Sequence, residues 1–439
     1  MTRVDGSGMT HAEALAWLDS LESLGIQPGL ERITALLAHL GDPHLGLPAV
    51  IVAGTNGKGS VVAFLAAMLE AAGVKAGVYT SPHLVRFNER IRVGTDEISD
   101  DDLASLTGEV RRAVEDMRRD GLPSPTYFEA TTALAFLHFR RRHVPLAVLE
   151  VGMGGRYDAT NVAEPLVCAI TPIALDHTQW LGRTVGEIAW QKAGVIRSEV
   201  PLVVSLQDPA AREVILDEAT RVGAPVVETS SCTAEPARGF SDPPSFRLAT
   251  PSGGVYAARL SLRGDHQADN GAAAVLLAEI LRDLGEVRLD PGAVERGLSD
   301  ARWPGRLELL PGPGGAQGPD LLLDGAHNPA GCTMLAAYLG RHQPRRPRRV
   351  LLFAAMRDKE AAAMLEALRP VVDEAILTGL PVARGTPPSD LEPVARRLGL
   401  PAAVEPEPIA GLERASRHAG PGGLVIACGS LYLVGALLQ

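Results

Sequence analysis

The chain has 439 residues, enough for two or three domains at about 100 to 200 residues each, and it carries 42 Lys+Arg against 52 Asp+Glu, a net charge of -10. That acidic excess argues against general nucleic-acid binding and for a soluble protein, and a local basic patch can still hold a small anionic ligand. Four scattered cysteines (Cys168, Cys232, Cys332, Cys428) form no CxxC pair, and no stretch reaches the roughly 18 apolar residues of a membrane span. A soluble protein of the reducing cytoplasm is expected, with no disulfide framework, zinc site, targeting segment or membrane anchor.

The first strong signal is the apolar run "AVIVAG" (49–54), followed by "TNGKGS" and an apolar helical pattern. A strand, a glycine-rich turn and a helix place backbone N–H groups and the positive helix end around one hollow, which suits phosphate. Lys58 supplies a charge for the outer phosphates, and the Ser60 hydroxyl is placed to reach a magnesium ion. The string departs from the standard P-loop, because Gly59 separates Lys58 from Ser60 and Val52 stands five residues before Gly57. The plainer alternative is a turn whose glycines serve backbone geometry alone.

Further apolar runs follow at 76–81, 146–152, 166–171 and 201–206, alternating with helical patterns. Continuous apolar strands belong to a mostly parallel sheet covered by helices on both faces. Glu150 closes one run and Asp176 and His177 follow another, where open α/β sheets present functional groups. Carboxylate, imidazole and hydroxyl together suit a divalent cation beside phosphates. Taken singly, Glu150 also reads as a turn cap and His177 as a hydrogen-bonded structural histidine.

Alternation around "PSGG" within 245–262 predicts a hairpin added at a sheet edge, and 265–285 a helix. The Pro/Gly-dense segment 299–320 marks a boundary near residue 300, dividing the chain into 1–300 and 301–439. Strand-like runs in "LLLDGAHNPAG", at 348–356, in "EAILTG" and at 422–430 predict a second, smaller α/β domain. The basic run 341–349 reads as a solvated loop. Two domains with a phosphate loop in the first place the ligand in the cleft between them.

The strings "GLERITALLAHLGDP", "VAGTNGKGS", "YTSPHLVRFNERIRV", "FEATT", "LEVGMGGRYDATN", "DHTQWLGRTVGEIAWQKAGV", "GDHQADN", "WPGRLE", "DGAHNPAG", "AMRDKE" and "GSLYLVG" occur in this order from 29 to 435. Together they resemble the folylpolyglutamate synthases, and the bacterial bifunctional form that is also a dihydrofolate synthase, within the Mur ligase superfamily. The resemblance implies a large ATP-binding domain with a P-loop-type, mostly parallel sheet, and a smaller Rossmann-like C-terminal domain. It also implies ATP and Mg2+ as cofactors. The implied substrates are L-glutamate and a reduced folate or dihydropteroate, bound by a monomer.

By that resemblance Gly54, Thr55, Asn56, Gly57, Lys58, Gly59 and Ser60 form the nucleotide loop, joined by Asn270, Arg306 and Asp324. Ser60 stands beside a magnesium ion, and Ser81, Glu150 and His177 match a second metal site. Lys192 matches a lysine that becomes carbamylated, with Gln191 where glutamate is usual; with Lys58 and His177 it makes up the implied catalytic set. The segments Gly29, Leu30, Glu31, Arg32 and Thr126, Tyr127, Phe128, Glu129 match the pterin site. Tyr157, Asp158 and Ala159 join them, Tyr157 replacing a more usual leucine. His327 and Ser430 match the glutamate site.

The implied chemistry is amide ligation. An amine cannot displace oxide from a carboxylate, so ATP first phosphorylates the carboxylate, and the glutamate amine then displaces phosphate. Alternatives are a synthase without the dihydropteroate activity, a cell-wall Mur-type ligase, and a P-loop ATPase that makes no amide. The cell-wall type carries an extra N-terminal domain, for which a loop starting at residue 54 leaves little room.

Overall fold

In the strand Pro48–Ala53 (β1), odd and even positions enter different cores: Ala49, Ile51 and Ala53 face one, Val50 and Val52 the other. A strand buried on both faces must lie inside a covered sheet. In this computed structural model, which describes residues 9–236, 242–312, 318–343 and 346–439, it does. The first residues of the chain, part of the Pro/Gly boundary segment and two residues of the basic run fall outside the described residues.

The first sheet contains β1, Gly77–Tyr79 (β2), Ile91–Val93 (β3), Asp96–Glu97 (β4), Ala147–Glu150 (β5), Glu164–Ile170 (β6), Leu202–Val204 (β7) and Val226–Glu228 (β8). Its order is β4-β3-β2-β5-β1-β6-β7-β8, parallel from β2 to β8 with an antiparallel edge at β3 and β4. Register pairs Val52 with Glu150 and Ala53 with Ile170. The ends of β5 and β6 therefore flank the loop that leaves β1.

The segment 245–262 departs from the expectation of an edge hairpin. Ser245–Ala249 and Val255–Arg259 do pair antiparallel, but with Thr233–Pro236 they form a separate three-stranded sheet. Its apolar face, Phe246, Leu248 and Tyr256, is buried in the core shared with Phe64, Leu277 and Leu298. Helix surfaces, and not a sheet edge, cover it.

The C-terminal sheet has six strands: Glu308–Pro311 (β12), Asp320–Leu323 (β13), Arg349–Phe353 (β14), Glu374–Leu377 (β15), Ala402–Val404 (β16) and Leu424–Cys428 (β17), counting the three just described as β9 to β11. The order is β12-β13-β17-β14-β15-β16, parallel except for β12. The described arginines of the basic run meet partners: Arg346 bonds Asp320, Arg348 pairs with Glu374, and Arg349 donates to the Val371 and Gln343 carbonyls.

Candidate active site

The helix Lys58–Ala71 starts directly at the glycine loop. Gly57, at φ +89°, adopts a conformation that L side chains resist, and a Cβ there would lie 2.5 Å from the Asn270 carboxamide oxygen. A Cβ on Gly59 would lie 2.4 Å from the Trp303 ring, so that glycine admits the indole against the loop. The Thr55 and Asn56 N–H groups both donate to the Pro172 carbonyl at 3.0 and 3.2 Å, which pins the loop. The donors that remain for an anion are the first-turn N–H groups from Lys58 onward, which have no intrahelical partners. Lys58 Nζ donates to the Thr55 carbonyl at 3.2 Å, and Gln267 Nε2 donates to Ser60 Oγ at 3.3 Å while accepting from Asn270 through Oε1 at 2.9 Å.

Beside the loop stand two buried ionisable groups, Lys192 and Glu150, and the half-buried His177. Lys192 is 4% exposed and donates from Nζ to the Gly54 carbonyl at 2.7 Å. Burial, helped by the Lys58 charge, pushes it down to about 7. Glu150 is 5% exposed and accepts the Ser81 N–H at 3.2 Å, so it does not cap the turn that follows it. Burial raises its pKa, opposed by the charges of Lys58 and Arg306. His177 holds φ +48°, a strained choice for a non-glycine residue of the kind that clusters at functional sites. Burial pushes its imidazole down to about 4, leaving it neutral at pH 7 with a lone pair to offer.

This donor set fits magnesium. Among the described residues no three His, Cys, Asp or Glu side chains are grouped to hold a metal alone. Glu150 is the one carboxylate of the set, and magnesium characteristically takes one or two carboxylates and completes its shell with water and substrate phosphates. The hydroxyls of Ser60 and Ser81 border the same cleft.

Across the cleft, Arg306 is half-buried and passes over Gly325 so closely that a Cβ there would sit 1.7 Å from Nη1. Asp324 accepts the Leu307 and Ala326 N–H groups, each at 2.9 Å, which fixes the loop after β13. His327 bonds the Gly325 carbonyl through Nδ1 at 2.8 Å and brings Nε2 to 3.5 Å from Asp176. Asn328 donates to Asn56 at 3.0 Å and to Asp176 at 3.1 Å, and Lys359 Nζ lies 2.5 Å from Asp176 Oδ1. Burial pushes the Asp176 carboxyl up, but the His327 hydrogen bond and the Lys359 charge prevail and hold it far below the usual carboxylate range.

One cleft thus collects Gly54 through Ser60, Ser81, Glu150, His177, Lys192, Asn270, Arg306, Asp324 and His327. The remaining expected residues lie off it. Arg32 Nε bonds Glu129 at 3.1 Å and so ties Gly29–Arg32 to Thr126–Glu129, where Thr126 and Glu129 form a capping box. Phe128 packs over Gly152, which does border the cleft. Asp158 caps the turn Ala159–Val162, while Tyr157 is exposed. Ser430 is buried and accepts the Tyr432 N–H at 3.2 Å, beside the cleft residue Leu431. Asn328, Lys359, Gln267, His266 and Trp303 were not singled out as site residues. The strings that contain them, "GDHQADN", "WPGRLE", "DGAHNPAG" and "AMRDKE", carry the available signal.

Residues 52–278 match the Mur ligase middle domain, and residues 305–431 match the Mur ligase, glutamate ligase domain. A dihydrofolate synthase/folylpolyglutamate synthase of Bacillus subtilis is 35% identical over 426 residues, 97% of each chain. The chain belongs to the Mur ligase family, on its folylpolyglutamate/dihydrofolate synthase branch. Mycobacterium tuberculosis folylpolyglutamate synthase, complexed with ADP and AMPPCP, superposes on this Mur ligase with a TM-score of 0.87 at 32% identity, covering 97% of this chain and 98% of that one. Escherichia coli FolC in complex with DHPP and ADP gives 0.85 at 30% identity, covering 100% and 98%. The Mur ligase fold accounts for a mostly parallel sheet facing a second α/β sheet. Among its described residues no helix is long and apolar enough to cross a membrane.

Proposed function

We propose that this ATP-dependent ligase joins L-glutamate to two acceptors in one active centre: dihydropteroate, and a reduced folate that already carries glutamate. The observation that carries the reading is the shared cleft. It sets a phosphate loop and Glu150 opposite Arg306, Asp324 and His327, so that closing one sheet system on the other completes one site. On this reading residues 1–300 form the ATP- and pterin-binding unit and residues 301–439 the glutamate-ligase unit of a cytoplasmic monomer.

The first-turn N–H groups and Lys58 hold the β- and γ-phosphates, and Arg306 balances charge from the other side. Ser60, and Ser81 with Glu150 and His177, would hold magnesium, which would relieve phosphate charge. The acceptor lies along Gly29–Arg32, Thr126–Glu129 and Tyr157–Ala159, with its carboxylate at the γ-phosphate. Phosphoryl transfer to that carboxylate gives an acyl phosphate and ADP. His327 and Ser430 hold L-glutamate so that its amine attacks the acyl carbon, and phosphate leaves with the electron pair of the C–O bond.

The Lys192 amine, which burial makes easier to hold neutral than an ordinary lysine, is suited to react with carbon dioxide. The resulting carbamate would set an anion beside Lys58 and the Gly54 carbonyl. Acceptor labelled with 18O in its carboxylate tests the activation step. One labelled oxygen must appear in inorganic phosphate for each amide formed; unlabelled phosphate excludes the acyl phosphate.

A further inference from the structure

Arg90 ends the turn Phe87–Arg90 that precedes β3, and it is 7% exposed. Its Nε donates to His83 Nδ1 at 2.8 Å, and its guanidinium carbon lies 5.6 Å from the Phe87 ring centre and 5.5 Å from that of Tyr127. Among the described residues this is the side chain's one hydrogen bond, and no carboxylate pairs with it. His83 is a neutral partner, since it accepts that N–H. Glu89 accepts the N–H groups of Leu84, Val85 and Arg86, Asp100 accepts from Arg86 and Asn88, and Asp19 feels the Arg90 charge without a hydrogen bond or ion pair to it.

A guanidinium taken out of water between aromatic walls, with no carboxylate in direct contact, is costly, and its planar fork matches a carboxylate. Its place defines which carboxylate. The Arg90 charge reaches Tyr127, in the segment assigned above to the pterin, and Glu150, beside the phosphate loop. On the two-acceptor reading, the tail of the acceptor runs between those two points, from the pterin segment to the cleft that Glu150 lines. Dihydropteroate ends in a single carboxylate, the one that is phosphorylated. A folate ending in glutamate brings a second, its α-carboxylate, a short aliphatic spacer away from the reacting γ-carboxylate.

We propose that Arg90 binds the α-carboxylate of the acceptor's terminal glutamate, and that this contact positions glutamylated folates while dihydropteroate does without it. The inference rests on the two-acceptor reading above. It makes Arg90 a specificity-determining residue for the second ligation.

The test is steady-state ADP release by the full chain and by Arg90→Met, with ATP, magnesium and L-glutamate, varying dihydropteroate or tetrahydrofolate. A charge-assisted contact of this kind predicts a KM for tetrahydrofolate raised roughly tenfold or more, with the KM for dihydropteroate changed less than about threefold. Arg90→Lys, which keeps the charge without the fork, falls between. A second arm needs no variant: a tetrahydropteroyl acceptor ending in 4-aminobutyrate keeps the reacting carboxylate and lacks the α-carboxylate. On the unsubstituted enzyme its KM must rise as the variant's does, and on Arg90→Met it must match tetrahydrofolate. Equal losses with both natural acceptors, or a 4-aminobutyrate acceptor that performs like tetrahydrofolate on the unsubstituted enzyme, overturns the proposal. If the unsubstituted chain releases ADP with neither acceptor, the two-acceptor reading itself falls, and the inference with it.

Discussion

Asp176 and Lys359 stand 183 residues apart in sequence, one after a strand of the first sheet and the other after a strand of the C-terminal sheet, yet their charged atoms lie 2.5 Å apart with both side chains more than nine-tenths buried. His327 and Asn328 approach the same carboxylate from the C-terminal side. The contact latches the two halves of the cleft.

Removing one partner of a buried ion pair costs about 3 to 5 kcal/mol when nothing replaces it. Lys359→Met leaves Asp176 its His327 and Asn328 partners, so the loss should fall in closure more than in folding. Expected are a drop in kcat/KM for L-glutamate of about a hundredfold, near 2.7 kcal/mol, and a smaller fall in thermal midpoint. Steady-state kinetics together with calorimetry check both; unchanged glutamate kinetics remove the latch from the mechanism.

Gly59 and Trp303 form a second dependency between distant segments. Gly59→Ala forces a methyl group to within 2.4 Å of the indole, so the loop or the ring must shift. Overpacking of this kind costs about 1 to 3 kcal/mol, and the KM for ATP should rise. Trp303→Ala in the same chain makes room, so the double variant should bind ATP better than Gly59→Ala alone. Additive losses in ATP binding count against the contact.

Lys58→Ala should abolish ligation while the thermal midpoint stays near that of the unsubstituted chain, because a charge at the γ-phosphate matters when the phosphoryl group moves. Glu150→Gln removes a buried carboxylate whose pKa burial already raises. Fold stability without metal should then be unchanged or improved, and the magnesium concentration for half-maximal activity should rise steeply. His177→Ala should share the magnesium effect. Metal titrations that overlay those of the unsubstituted enzyme exclude the second metal site.

Lys192→Ala removes the amine that donates to Gly54 and any carbamate built on it. The variant should be weak and partly rescued by formate or acetate, small carboxylates that fit the vacated space. Absence of rescue, with an unmodified lysine in the intact mass of active enzyme, contradicts the carbamate.

Much of this site was legible in the chain because its chemistry is local. A strand, glycine turn and helix can be read from about twenty consecutive residues, and the apolar runs ending at Glu150 and before Asp176 carry their functional groups with them. Partnerships made by the fold were not legible. Asp176 reads from the sequence only as a functional group after a strand, whereas the structure surrounds it with Lys359, His327 and Asn328, which no local pattern connects to it. The hairpin at 245–262 showed its alternation but not its neighbours, since the choice between a sheet edge and a helix surface depends on packing far along the chain. Gln267 and Trp303 were hidden for the same reason: their roles exist only against Ser60 and Gly59.

The central claim is that one centre consumes ATP only to make a glutamyl amide, with either acceptor. ADP release measured with dihydropteroate or tetrahydrofolate, each with and without L-glutamate in the presence of magnesium, tests it most directly. The account predicts sustained release in both complete mixtures and little when either the acceptor or L-glutamate is withheld. Release that ignores L-glutamate and acceptor would mark an ATPase that makes no amide, and release with tetrahydrofolate alone among the acceptors would leave a synthase with a single ligation.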